Sequence, residues 1–207
     1  MRGPARAVLY DYGNVLADWQ PRALYTKLID DPVRLDWFLS SVCTMAWHME
    51  NDRGVGMDAN IESLAQTFPA EAELIRAWKS RFSEMVVGEI PGAKALIEQL
   101  AAQGTPLYCL TNMPAEVVED CFGPFDFRRH FTDIIVSGVE KLAKPDPAIF
   151  ALTLKRMGGL AAEDVFFADD NRANIEAAAA MGFRAHLFTD SKNLEAALRA
   201  DGVLRSA

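Results

Sequence analysis

The feature that most restricts how this chain can fold is an alternation of short apolar runs with helical segments. Residues 6–11 open it, and 106–110, 133–137, 164–168 and 184–188 continue it. From Pro91-Gly92 onward each gap between runs carries helical periodicity. The segments run through Leu96, Ile97 and Leu100 to Gly104, from Pro114 to about Cys121, over 147–157, over 172–181 to Gly182, and near 193–200. Strands that alternate with helices predict βαβ units, a parallel sheet and right-handed crossovers. The expected class is α/β, a Rossmann-like parallel sheet.

One long interval breaks the alternation. Residues 20–88 show helical periodicity and little strand signal. Pro21 suits a first helical position, with Leu24, Leu28 and Ile29 following at helical spacing. Asp31-Pro32 restarts a helix through Trp37, Phe38 and Val42, and 43–56 reads as loop-rich. Asp58 caps a third helix carrying Ile61, Leu64, Ala65 and Phe68, and a fourth spans about 70–87. The expected division is a core of 1–17 and 89–207 with a small helical insert at 18–88.

Four polar tips face one side of such a sheet, where open α/β folds bind ligands. Asp11 ends the first run and is a candidate nucleophile, metal ligand or both. Thr111-Asn112 offers a hydroxyl and an amide at a strand end ahead of a helix, placed to cradle a phosphoryl group. Lys144 stands before Pro145, with Asp146 as a helix cap and Pro147 at the first helical position, a rigid setting for a cation. Asp169-Asp170 follows Val165-Phe166-Phe167-Ala168 directly, and two adjacent acids in a crevice repel unless a cation joins them. Hard oxygen donors favour Mg²⁺. Asn174, one turn on, is placed to orient the acids.

Taken together and in this order, these residues resemble the haloacid dehalogenase-like (HAD) hydrolase superfamily over essentially the whole chain. The resemblance rests on Asp11 in Tyr10-Asp11-Tyr12-Gly13-Asn14-Val15, Thr111-Asn112, Lys144-Pro145, and Asp169-Asp170 with Asn174; Pro91-Gly92-Ala93 adds to it. It implies a Rossmann-like core, Mg²⁺, an aspartyl-phosphate intermediate, and a small helical cap of the C1 type formed by the insert. The implied metal ligands are Asp11, the Gly13 carbonyl, Asp169 and Asp170, and the implied phosphoryl-binding groups are Thr111, Asn112 and Lys144. One departure stands out. Family phosphatases carry a second Asp two residues after the nucleophile, where this chain has Gly13, and Asn14 follows where Gly is usual. Losing a general acid/base costs on the order of 10²–10⁴ in rate. The Asp-x-Gly-Asn-Val form is similar to a branch that includes a glucose-1-phosphate phosphatase, as is the cap loop with His48, Glu50, Arg53 and Gly54. In that loop His48, with a side-chain pKa near neutrality, is a candidate for the absent acid/base, and Arg53 for holding a distal group of the substrate.

The expected activity is Mg²⁺-dependent hydrolysis of a small phosphorylated metabolite, with a sugar phosphate in view. Two rivals remain beside it: a metal-independent 2-haloacid dehalogenase, motivated by Gly13, and a weakly catalytic phosphate-binding or regulatory protein. Composition narrows the partners. The net charge of −8 over 207 residues argues against non-specific binding to nucleic acid or to an anionic membrane surface. No run approaches the ~20 apolar residues of a membrane span, and Asp11 interrupts the N-terminal apolar stretch, so no signal peptide is expected. Cys43, Cys109 and Cys121 form no CxxC pair, which points to free thiols and a cytoplasmic setting. Nothing in the sequence sets an oligomeric state.

Overall fold

The computed structural model describes residues 3–205; the first two and last two residues, assigned above to the core, lie outside the described residues. Five parallel strands form the central sheet: β1 (Ala7–Tyr10), β4 (Leu107–Thr111), β5 (Phe131–Val136), β6 (Val165–Asp169) and β7 (Arg184–Leu187), in the order β5-β4-β1-β6-β7. Each lies within two residues of its expected position. β1, β4 and β6 are buried along their whole length, as unbroken apolar runs in the middle of a parallel sheet should be. The flanking strands β5 and β7 are only partly buried.

Side chains alternate faces along each strand, and the core divides accordingly. Val8, Tyr10, Leu107, Cys109, Phe166 and Ala168 join one apolar cluster. Ala7, Leu9, Tyr108, Leu110, Val165 and Phe167 join the other. All three cysteines are free and buried. The strand order reverses direction at β1: the chain steps outward through β4 and β5, then returns to β6 on the other side. The carboxyl ends of β1, β4 and β6 therefore flank the switch point, where such sheets leave a crevice.

The interval between β1 and the next core helix holds α1 (Pro21–Tyr25), α2 (Pro32–Trp37), α3 (Met45–Asp52), α4 (Met57–Thr67) and α5 (Ala72–Ser80). Three expectations fail here. Asp58 lies in the first turn of α4 and does not cap it, the N-cap being Gly56. The stretch read as loop-rich contains α3, whose N-cap Thr44 accepts a hydrogen bond from Trp47 N at 3.1 Å. The fourth helix stops at Ser80 rather than near 87; a 3₁₀ turn (Phe82–Met85) follows, then strand β3 (Val86–Glu89). β3 pairs antiparallel with β2 (Ala17–Trp19), so a two-stranded ribbon closes the base of the insert. That pairing joins residues about 70 positions apart, and no local periodicity encodes it.

The core helices are α6 (Ala93–Ala102), α7 (Val118–Phe122), the short α8 (Ser137–Glu140), α9 (Pro147–Arg156), α10 (Arg172–Ala180) and α11 (Ser191–Asp201); all follow the expected pattern except α8, which falls in a stretch that carries no helical signal in the sequence. α9 begins as its sequence dictates, with Pro147 at N1 and the Asp146 carboxylate accepting from Ala148 N at 2.8 Å. Among the described residues, no helix is long and apolar enough to cross a membrane.

Candidate active site

β1 ends at Tyr10, and Asp11 is the first residue beyond it. Its amide still bonds to Ala168 O of the neighbouring strand at 2.9 Å, which fixes the backbone at the tip. Among the described residues, both donors to its carboxylate sit on Oδ1: Tyr12 N at 2.7 Å and Lys144 Nζ at 2.9 Å. Oδ2 is the oxygen left for chemistry. Tyr12 is itself buried and anchored, its hydroxyl donating to Cys121 O at 2.5 Å.

Lys144 joins three strand ends. Its ammonium donates to Leu110 O at 2.9 Å and Asp169 Oδ2 at 2.7 Å and pairs with Asp11 Oδ1, which uses all three of its hydrogens. Burial alone would depress its pKa, but the Asp11 and Asp169 carboxylates outweigh burial and hold it above the ordinary lysine value. The Asn112 side chain clamps the backbone of the same residue: Nδ2 donates to Lys144 O and Oδ1 accepts from Lys144 N, each at 2.9 Å. This revises the expected division of labour. The Asn112 amide is committed to positioning Lys144, while Thr111, buried at the end of β4, keeps its place on the crevice wall.

Asp169 is fully buried and bonded at both oxygens, Oδ1 to Asn171 N (2.8 Å) and Asn174 Nδ2 (3.0 Å), Oδ2 to Lys144 and Asn174 (3.0 Å). Asp170 is exposed to the crevice and takes a long contact from Asn14 Nδ2 at 3.4 Å. Asp11, Asp169 and Asp170 bring oxygen atoms within 4.8 Å of one another. Three carboxylates against one ammonium leave an excess of two negative charges. Burial raises the Asp11 pKa against the opposing Lys144, with Asp169 and Asp170 adding to the rise; Asp170 is also raised, by burial and then by Asp169. An all-oxygen donor set with that charge excess fits a hard divalent cation such as Mg²⁺.

The crevice holds about 370 Å³. Its floor comes from the strand ends: Asp11, Gly13, Asn14, Thr111, Asn112, Lys144, Asp170 and Asn174. Asn14 adopts a left-handed φ of 57°, which turns its side chain back to Trp19 N (3.3 Å) and Asp170. The opposite wall comes from the insert: Trp19, Met45, His48, Met49, Asp52 and Phe82. Of these, sequence reasoning missed Met45, Met49, Asp52 and Phe82. The signal for Asp52 was its i,i+4 spacing from His48, which has meaning only once 45–52 is read as a helix.

His48 lies in helix α3 and not in the loop expected there. It is buried, stacked on Trp19 (5.2 Å between ring centroids) and tilted against Phe82 (6.0 Å). Trp78 Nε1 donates to its Nδ1 at 3.2 Å, which leaves Nε2 to carry the proton. Burial lowers its pKa to about 4, so it is neutral at pH 7 and poorly suited to the acid/base role expected of it. Its Nε2 lies 3.6 Å from Asp52 Oδ1. Arg53 points away: it pairs with Glu50 at 2.6 Å on the surface and does not line the crevice. Trp47 packs edge-on against Trp78 rather than facing the crevice.

A doubly covered parallel sheet with a lysine-bridged acidic cluster at its switch point defines a Rossmann-like α/β protein with its site at the carboxyl ends of the strands. The chain belongs to the haloacid dehalogenase-like hydrolase family, whose model matches residues 6–182. It is 27% identical over 191 residues to the sesquiterpene phosphatase astK of Aspergillus oryzae, covering 90% of this chain and 91% of that one. It is 32% identical over 127 residues to a phosphoglycolate phosphatase of Yersinia pseudotuberculosis, covering 61% of this chain and 53% of that enzyme. The fold matches a HAD family enzyme of Bacteroides thetaiotaomicron solved as a magnesium complex, with a TM-score of 0.67 at 17% identity over 90% and 94% of the two chains.

Proposed function

We propose that this chain is a Mg²⁺-dependent phosphomonoester hydrolase that works through an aspartyl-phosphate on Asp11. The observation that carries this reading is the acidic cluster: a strand-end carboxylate with one oxygen free, beside Asp170 open to the crevice, with Lys144 locked between Asp11 and the buried Asp169. Asp11 and Asp170 would hold the cation, with the Gly13 carbonyl beside them and Asp169 supporting from behind. When bound, Mg²⁺ supplies positive charge against the oxygens of the transferring phosphoryl group.

The chain's own residues do the rest. The Tyr12 amide and Lys144 fix Asp11 Oδ1, so that Oδ2 is presented to phosphorus. Attack forms the Asp11–phosphorus bond and breaks the bond to the leaving-group oxygen; water then cleaves the acyl phosphate and restores the carboxylate. Thr111 and the backbone at the end of β4 stand on the crevice floor to receive phosphoryl oxygens, while Asn112 keeps Lys144 in place. The insert acts as a cap over the crevice, its ribbon of β2 and β3 being the junction with the core, and excludes bulk water when closed.

The substrate's leaving group meets Trp19, Met45, Met49 and Phe82, an apolar wall with polar groups only at His48 and Asp52. A sugar phosphate would lay its ring on Trp19; the same wall also receives a phosphorylated apolar alcohol. A cytoplasmic setting accords with the three buried free thiols. A dehalogenase has no use for the cation that the acidic cluster fits.

A panel of phosphate esters and 2-haloacids, assayed with Mg²⁺ and with EDTA, tests the reading. Phosphate release should require Mg²⁺ and vanish in Asp11→Asn. Equal release by wild type and Asp11→Asn, or halide release that survives EDTA, would sink it.

A further inference from the structure

Gly13 leaves the proposed reaction without the carboxylic acid that relatives place two residues after the nucleophile, and among the described residues the core offers no uncommitted group on the crevice to replace it, Asp170 being assigned to the cation. Asn14 carries an amide, Asp169 is bonded at both oxygens, and Lys144 has spent its hydrogens on Leu110, Asp169 and Asp11. Among the described residues, the insert puts one carboxylate on the same crevice. Asp52 ends α3, is buried, and lines the cavity opposite Asp11. Its Oδ1 is buried without a hydrogen-bond partner; the nearest polar atom recorded for it is His48 Nε2, at 3.6 Å. A carboxylate so placed, unneutralised and short of donors, is costly as a structural feature.

We infer, on the basis of the phosphatase reading, that Asp52 is the general acid and base of this enzyme, supplied by the insert instead of the nucleophile loop. Its proton goes to the leaving-group oxygen as the ester bond to phosphorus breaks. The resulting carboxylate then takes a proton from the water that attacks phosphorus, which releases phosphate and returns Asp11 and Asp52 to their starting states. His48 is the positioning residue: held by Trp78 with Nε2 as its protonated nitrogen, it turns that nitrogen toward Asp52. The groups that bear on Asp52 are His48 on its own helix, the adjacent Arg53, and Lys144 across the crevice. Burial raises its pKa to about 7 against the opposing pull of Lys144 and Arg53, which suits proton transfer near neutral pH. Because the acid sits on the insert, the site is complete only when insert and core are together over the substrate.

The test compares leaving groups. Asp52→Asn should lower kcat/KM for an alkyl phosphate, whose alkoxide needs a proton, by on the order of 10²–10⁴. For p-nitrophenyl phosphate, whose phenolate leaves unaided, the first step should change little. The ratio of the two substrates is read on one protein sample, so partial unfolding of the variant does not alter it. In wild type the alkyl-phosphate rate should fall as pH rises through about 7, and Asp52→Asn should lose that limb. A rescue arm follows from Gly13, where an added Cβ meets nothing within 4 Å: Gly13→Asp in the Asp52→Asn background should restore alkyl-phosphate turnover by about 10²-fold, the low end of such acid/base effects. Equal losses on both substrates, or no rescue together with an unchanged pH profile, would overturn the assignment while leaving the phosphatase reading intact. A wild type inert toward every ester with Mg²⁺ would remove both.

Discussion

Lys144 concentrates the electrostatics of the site in one side chain. It is fully buried and pairs two carboxylates that would otherwise repel each other across the carboxyl ends of adjacent strands. Removing one partner of a buried pair is expensive because the remaining charges stay desolvated. Lys144→Met should therefore destabilise the fold by on the order of 3–5 kcal/mol, read by urea unfolding in EDTA, and abolish turnover. A variant as stable as wild type would show that Asp11 and Asp169 tolerate each other without it. The sequence could place Lys144 on a rigid turn and among the strand tips. It could not show that Asn112 spends its amide on the lysine backbone, because that bond joins segments 32 residues apart in sequence.

At the scale of elements, the site depends on close contact between the loop after β4 and the start of α8. Ser137 Oγ accepts from Met113 N at 3.0 Å, and Gly138 N donates to Met113 O at 3.1 Å. A Cβ on Gly138 would lie 2.7 Å from Ala115 N and 2.8 Å from Met113 O, both backbone atoms that cannot swing aside. Gly138→Ala should cost about 1–3 kcal/mol, as overpacking does. It should also raise KM by displacing the Met113-Pro114 wall of the crevice. Unchanged stability and KM would mean that the loop yields freely. α3 shows the opposite side of legibility. Its Thr44 cap was present in the sequence, but Trp47, His48, Glu50 and Asn51 give a mixed pattern that reads as loop, since the residues the helix buries, His48, Asn51 and Asp52, are polar.

For the whole molecule, the acidic cluster leaves the fold carrying charge that a cation would offset. Binding to the native state alone stabilises by mass action, about 2.7 kcal/mol when the ligand stands at 100 times its Kd. Thermal unfolding should therefore shift upward on titration with Mg²⁺, and Asp170→Asn should lose that shift while keeping its fold, because the Asp170 side chain faces the crevice rather than the core. An equal Mg²⁺ shift in Asp170→Asn would remove this residue from the metal site.

The sequence by itself determined the parallel α/β core, the family, and the strand tips that carry Asp11, Thr111-Asn112 and Asp169-Asp170. Each of these follows from local signals: apolar runs, caps, and the rule that a run ending on a polar residue puts it at the sheet edge. Tertiary structure alone decided which polar atoms were already engaged. It left Arg53 off the crevice lining, buried His48 among aromatic rings, and put Asp52 on the crevice wall. The reason is physical. Local sequence sets backbone conformation and burial pattern, whereas hydrogen-bond partners and desolvation depend on segments the chain brings together only when folded. The ribbon of β2 and β3 and the wall of the insert are contacts of that second kind.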